Sequence, residues 1–143
     1  MATQVGKFET HVGFKKDFEL YVGPAQEVRE YKRFSESLWV DVSRILNIPI
    51  GLHTIESSEV DGFSCWFENN DMSVSLYVGY PESDVIDKAP ASLTAISRSD
   101  TVASWEIAEK LYTQLVSLGG YLVAAFTDDG IPIDSNFDTD SDW

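Results

Sequence analysis

Residues 99–126 read SDTVASWEIAEKLYTQLVSLGGYLVAAF, and they contain the clearest helix and strand signals in the sequence. Apolar side chains recur in it at steps of three and four, which places them on one stripe of an α-helix. Ser99, Asp100 or Thr101 is expected to cap the start of this helix, and Gly119-Gly120 to end it in a left-handed conformation. The expected stripe consists of Val102, Trp105, Ala108, Leu111, Tyr112, Leu115 and Leu118.

An apolar strand is predicted over residues 121–126, directly after the glycines. Neither this strand nor the helix can bury its apolar face alone, so we expect the helix to lie on a sheet. A second amphipathic helix is predicted from Pro24 to Leu46, because apolar residues again follow helical spacing. Asn47 and Pro49 are expected to end it.

Alternation of apolar and polar residues predicts a first hairpin, with strands over residues 8–14 and 18–22 and Phe14 facing Phe18. A further strand is predicted over residues 52–58, and a short strand over residues 92–96 is an alternative within the connection over residues 81–97. All apolar side chains of the first hairpin fall on one face, as expected for a sheet that is covered on one side.

A second hairpin is predicted over residues 63–80, with Asn69-Asn70 supplying the two positive φ angles of a tight turn. This turn places Phe67 opposite Met72, Cys65 opposite Val74 and Phe63 opposite Leu76. Trp66 then points away from the core. It either packs beneath the connection over residues 81–97 or is exposed as part of a binding surface.

The predicted order is β-β-α-β-β-β-α-β. It indicates an α+β fold, with a single mostly antiparallel sheet and two amphipathic helices packed on one face as a two-layer sandwich. A chain of 143 residues is typical of one domain. We expect that domain to cover residues 1–133, followed by an acidic C-terminal tail over residues 134–143.

The net charge of −14 argues against direct binding of nucleic acid, which requires clustered Lys and Arg, and favours a basic protein partner. The first residues lack the apolar run of a secretion signal, and no stretch is apolar enough to predict a membrane span. The single cysteine, Cys65, agrees with a reducing compartment. We therefore expect a cytoplasmic location and no membrane contact.

No catalytic signature is present, so we predict neither enzyme activity nor a cofactor. His11 and His53 lie in predicted strands and are the residues that an enzyme would have to use. Cys65 belongs to the inward face of its hairpin, where burial makes a thiol unreactive. Asp138, Asp140 and Asp142 alternate like the first ligands of a calcium loop, but the required glycine and final glutamate are missing, and no metal site is predicted.

Residues 104–133, SWEIAEKLYTQLVSLGGYLVAAFTDDGIPI, resemble the helix-strand ending of small acidic bacterial immunity proteins. Proteins of that class neutralise polymorphic or contact-dependent toxins. The resemblance implies a non-enzymatic toxin inhibitor, or antitoxin. It carries over no functional residue, because immunity families bind their toxins through different surfaces.

A second segment is similar to the start of a repeat in GyrI-like effector-binding domains. It comprises Tyr21-Val22-Gly23-Pro24, a helix with Leu38-Trp39, and Ile48-Pro49. This resemblance implies binding of a small hydrophobic ligand or a topoisomerase between two pseudo-symmetric halves. The second half departs from the pattern, since no Gly-Pro precedes the helix after Ser99.

The leading hypothesis is an immunity-type inhibitor that binds a basic enzyme, such as a nuclease toxin, and blocks its active site. The alternatives are a GyrI-like ligand-binding module and a phage anti-defence protein that mimics nucleic-acid charge. The oligomeric state is left open, with a homodimer through sheet edges as one alternative. The predicted partner-binding residues are Glu68, Asp71, Asp128, Asp129, Asp134, Asp138, Asp140 and Asp142, with Trp66 or Trp143 as an apolar anchor.

Overall fold

The computed structural model confirms the α+β class, with a seven-stranded antiparallel sheet and two helices on one of its faces. It describes residues 8, 18–26, 31–48, 54–58, 62–78, 89, 91–127 and 130–137. The strands lie in the order β2-β3-β4-β5-β1-β6-β7. In chain order the elements are β1 (Phe18–Pro24), α1 (Tyr31–Leu46), β2 (Thr54–Ser58), β3 (Gly62–Glu68), β4 (Met72–Val78), β5 (Ala91–Ser97), α2 (Ser104–Ser117), β6 (Tyr121–Thr127) and β7 (Pro132–Ser135).

Strand β1 lies inside the sheet rather than in a hairpin with residues 8–14. Leu20 is opposite Leu93 of β5 on one side and opposite Ala125 of β6 on the other. Both edges of β1 are therefore occupied, and the predicted first hairpin is wrong. Within residues 8–14 the structure describes Phe8 alone, which has a helical backbone and is buried with its ring 5.5 Å from that of Tyr112.

The β3–β4 hairpin has the predicted faces, but its register differs from the prediction by two residues. Cys65 pairs with Leu76 and Phe67 with Val74. A shift of two keeps the same side chains on the same face, because the strand period is two. Cys65 and Phe67 are accordingly buried, as predicted.

The turn explains the difference in register. The Asn69 N–H donates to the Met72 carbonyl at 3.0 Å, so Asn70 and Asp71 form the turn instead of Asn69-Asn70. The Asn69 side-chain oxygen accepts the N–H groups of Asp71 and Met72 at 2.8 and 2.9 Å. Among the described residues, Asn47 is the one non-glycine with positive φ, so this turn needs no left-handed residue.

Helix α2 begins later than predicted. Ala103 occupies the N-cap position, and its N–H donates at 2.7 Å to the carboxylate of Glu106. This contact replaces the cap expected from Ser99, Asp100 or Thr101. Val102 therefore precedes the helix and is exposed instead of lying in the buried stripe.

The end of α2 follows the prediction at its glycines. Gly119 has a φ of 79° and leads directly into β6. Leu118, expected in the buried stripe, is exposed at the end of the helix. Helix α1 also ends as predicted, with Asn47 at a φ of 57° after Leu46.

The core lies between the helices and one face of the sheet. Leu111 and Leu115 of α2 and Leu38 and Val42 of α1 are fully buried against the inward side chains of the strands. A smaller apolar cluster lies on the opposite face, where Ala89 and Phe137 pack with side chains of β1 and β6. The helices thus leave most of that opposite face uncovered.

The sheet continues beyond residue 133, where the tail was expected to begin. Strand β7 includes Asp134 and Ser135. The Asn136 side chain then accepts the Val123 N–H at 2.7 Å and donates to the Tyr121 carbonyl at 3.0 Å. The folded part therefore extends at least to Asn136. No helix in the described part of the chain is both long and apolar enough to cross a membrane.

Candidate functional site

The face of the sheet opposite the helices carries two aligned rows of side chains, here called the open face. One row runs from Trp66 through Ser75 and Thr94 to Glu19, on four neighbouring strands. The other runs from Ser64 through Tyr77 and Ser92 to Tyr21. Strand spacing places the backbones of Trp66 and Glu19 about 14 Å apart.

Two large aromatic side chains of the open face are exposed. Trp66 points away from the core as predicted and has 39% of its surface exposed, and Tyr77 has 48%. They lie on adjacent strands, one diagonal step apart. One alternative for Trp66 was packing beneath the connection before β5. Of residues 81–90 the structure describes Ala89, which packs on Ala124 and Phe126 near the other edge of the sheet.

Glu19 brings a fixed negative charge to the open face. Its carboxylate accepts hydrogen bonds from the hydroxyls of Tyr21 and Ser92, each at 3.0 Å. Partial burial, together with the hydrogen bond and the charge of Glu19, raises the pKa of Tyr21 to about 12, so its hydroxyl remains a donor at neutral pH. Between Glu19 and Trp66, the Ser75 and Thr94 hydroxyls are hydrogen-bonded at 2.7 Å. The open face therefore combines aromatic rings, hydroxyls and an oriented carboxylate.

The predicted residues Glu68 and Asp71 lie at the β3–β4 turn, at one end of the sheet. Glu68 is 2.9 Å from an Arg98 guanidinium nitrogen, and both side chains are exposed. The backbone N–H of Arg98 also donates to the backbone carbonyl of Asp71 at 2.8 Å. Arg98 thus reduces the negative charge that Glu68 presents, while Asp71 stays exposed.

Asp134 lies on the helix side of the sheet. It pairs with Ala125, whose side chain faces the helices, and the charge of Asp134 contributes after burial to raising the pKa of Tyr112 to about 12. The structure therefore does not bring Asp134 together with Trp66. Several predicted residues lie outside the described residues: Asp128, Asp129, Asp138, Asp140, Asp142, Trp143, His11 and His53.

Cys65 is a core residue, as predicted. Its side chain is 1% exposed, and burial raises the pKa of its thiol to about 12. A thiol of this kind remains protonated and unreactive at neutral pH. Among the described residues, no three His, Cys, Asp or Glu side chains are grouped closely enough to hold a metal ion.

A pocket of about 860 Å³ opens on the helix side, at the end of the sheet away from the β3–β4 turn. Its walls come from the end of β1, from α1 and from the loop between α2 and β6. The rings of Phe34 and Tyr121 lie in it with their centroids 6.1 Å apart. Asp41 accepts a hydrogen bond from the Tyr121 hydroxyl at 2.5 Å and lies 3.6 Å from Arg44.

Glu19, Tyr77 and this pocket were not predicted from the sequence. The alternation in β1 and β4 is the signal for Glu19 and Tyr77, since both are outward residues between inward apolar ones. Their common location depends on β1 pairing with β5. The pocket carried no signal in the sequence, because its walls come from three separate segments. No family model matches the chain, and no curated protein or solved structure is significantly similar to it.

Proposed function

We propose that this protein is a non-enzymatic inhibitor of the immunity type, which binds a basic enzyme in the cytoplasm through its open face and blocks the active site of that enzyme. The observation that supports this proposal is the sheet face opposite the helices, on which Trp66 and Tyr77 are exposed and the carboxylate of Glu19 is oriented two to three strands away. A nuclease toxin is the favoured class of partner.

Exposed aromatic side chains on a sheet are effective anchors for a protein partner. They bury a large area, and they lose few rotational degrees of freedom on binding. Among the large exposed apolar residues that the structure describes, Trp66 and Tyr77 are the two aromatic ones, and together they form such an anchor.

Charge provides the complementarity. A protein with a net charge of −14 attracts a cationic partner over distances of about a Debye length, which is near 8 Å at physiological salt. Within the interface, Glu19 is held by two hydroxyl donors and is therefore oriented to accept a Lys or Arg side chain. An enzyme that binds nucleic acid carries the required positive surface at its active site.

The test uses the protein encoded by the neighbouring open reading frame, expressed and purified as a candidate toxin. Calorimetry measures its binding to the unchanged chain and to the variants Trp66→Ala and Glu19→Gln. We expect each substitution to weaken binding by about 30-fold, as for residues at the centre of an interface. Inhibition of the enzyme should weaken in parallel.

Matched control variants lie on α1, on the other side of the molecule. Val40→Ala removes an exposed apolar side chain and Glu36→Gln removes an exposed carboxylate, so both repeat the chemistry of the test variants. Equal losses of affinity in the test and control variants would contradict the proposal. So would association that does not respond to salt concentration.

A further inference from the structure

The pocket on the helix side contains a cation, Arg33, for which the described residues supply no anion. The Asp41 carboxylate already accepts the Tyr121 hydroxyl and neighbours Arg44. Arg33 also lines the pocket, and among the described residues no carboxylate forms an ion pair with it. By contrast, Arg44 and Arg98 are each paired. An incoming anion would therefore meet an available guanidinium, whereas a cation would have to compete for Asp41.

Aromatic surface lies next to this guanidinium. Phe34 follows Arg33 directly in α1, and its ring lies close to that of Tyr121. Pro24 and the exposed Leu118 add further apolar walls. Beside these walls, Gly119 and Gly120 leave open space, since an added Cβ at either residue would meet no atom within 4 Å. The pocket thus has room for a flat apolar group.

The spacing along α1 fixes where the charges lie. Arg33, Ser37 and Asp41 are four residues apart on the same helix face, which places Arg33 and Asp41 about 12 Å from each other along the axis. This separation is long enough for a small aromatic ring whose carboxylate would reach the Arg33 end. An Arg side chain binds a carboxylate through two parallel hydrogen bonds, which orients such a ligand.

We propose that this pocket binds a small aromatic carboxylic acid, with the carboxylate on Arg33 and the ring against Phe34 and Tyr121. The pocket lies on the helix side of the sheet, so the proposal is independent of partner binding at the open face. The two can fail separately.

Three indole compounds of nearly the same shape provide the test: indole-3-acetate, the neutral indole-3-acetamide and the cationic tryptamine. Titrations followed by calorimetry and by amide chemical shifts compare them at about 0.15 M salt, where repulsion by distant carboxylates is screened. Indole-3-acetate is expected to bind with a dissociation constant of about 0.1 to 1 mM, as is usual for a ligand of this size. The amide shifts should centre on Gly119, Gly120 and Phe34.

Two variants that each remove one positive charge distinguish direct binding of the ligand by Arg33 from an effect of the net charge of the protein. Arg33→Gln should weaken indole-3-acetate binding at least tenfold and leave indole-3-acetamide unchanged. Arg98→Gln, at the far end of the sheet, should leave both unchanged. Equal effects of the two variants would overturn the proposal, as would tighter binding of tryptamine or no binding of indole-3-acetate at about 5 mM.

Discussion

The hydrogen bond between Tyr121 and Asp41 connects β6 to α1, and its removal is the most direct test of how the helix layer is held on the sheet. The donor and acceptor oxygens are 2.5 Å apart, and they lie 80 residues apart in the chain. The Tyr121 ring is buried, while 20% of the Asp41 side chain remains exposed. Burial, followed by the hydrogen bond and the charge of Asp41, raises the pKa of Tyr121 far above its ordinary value.

Tyr121→Phe removes the hydroxyl and keeps the ring. A hydrogen bond to a charged group stabilises a fold by about 1.5 to 3 kcal/mol. The effect is smaller here, because water still reaches Asp41 and Arg44 remains 3.6 Å away. We therefore expect the free energy of unfolding to fall by about 1 to 2 kcal/mol and the melting temperature to fall by about 3 to 7 °C.

Urea unfolding followed by circular dichroism measures this change, and a double-mutant cycle with Asp41→Ala isolates the coupling between the two side chains. A coupling energy below about 0.3 kcal/mol, within the usual error of additivity, would refute the reasoning.

Three further predictions concern single residues. Gly119→Ala should destabilise the fold by about 1 kcal/mol, because the φ of 79° strains any residue with a Cβ, whereas Gly120→Ala should change stability little; thermal unfolding compares the two. Glu106→Ala should cost about 1 kcal/mol by freeing the Ala103 N–H, and Glu106→Gln should restore most of it in urea unfolding. The pKa of Cys65 is raised to about 12 from an ordinary value of about 9, so the unfolded state loses the proton first, and stability should fall as pH rises above about 9. Cys65→Ala should reduce that decrease most clearly up to about pH 9.5, where tyrosines, with an ordinary pKa of about 10, are still mostly protonated, when unfolding is measured across this range.

Local signals in the sequence predicted the elements well. The buried positions Ala108, Leu111 and Leu115 of α2 follow from helical spacing alone, and the glycine that ends the helix follows from its backbone freedom. Strand β5 is observed at Ala91–Ser97, where the sequence offered a short strand over residues 92–96 as an alternative within a connection. These features depend on neighbours within a few residues, which a single sequence displays directly.

Strand pairing could not be predicted in the same way. Alternation shows that Leu20 and Val22 face a core, but this is equally true whether β1 pairs with residues 8–14 or with β5 and β6. In the β3–β4 hairpin, registers that differ by two residues bury the same side chains. The choice depends on the Asn69 side chain, which accepts two N–H groups of the turn. Side-chain hydrogen bonds of this kind leave no trace in hydrophobic patterning.

The candidate site was predicted less well than the fold. Acidic residues were chosen for their charge alone, without the positions that strand pairing gives them in the sheet. Glu68 is acidic and exposed, yet it pairs with Arg98, which directly follows strand β5 and lies 30 residues later in the chain. Glu19 was not chosen, although the pairing of β1 with β5 and β4 with β3 aligns it with Trp66. A carboxylate contributes to a binding surface through its neighbours across the sheet, and those neighbours are set by topology.

The same topology argues against a second copy of this chain as the occupant of the open face. A face-to-face homodimer would bury two Glu19 carboxylates without a cation from the described residues of either open face, between chains that each carry a net charge of −14. Such repulsion weakens as salt screens it, so a homodimer would become tighter with rising ionic strength. Binding of a basic partner must show the opposite sign, because salt screens the attraction. The sign of the salt dependence therefore distinguishes the two occupants before any partner structure is known.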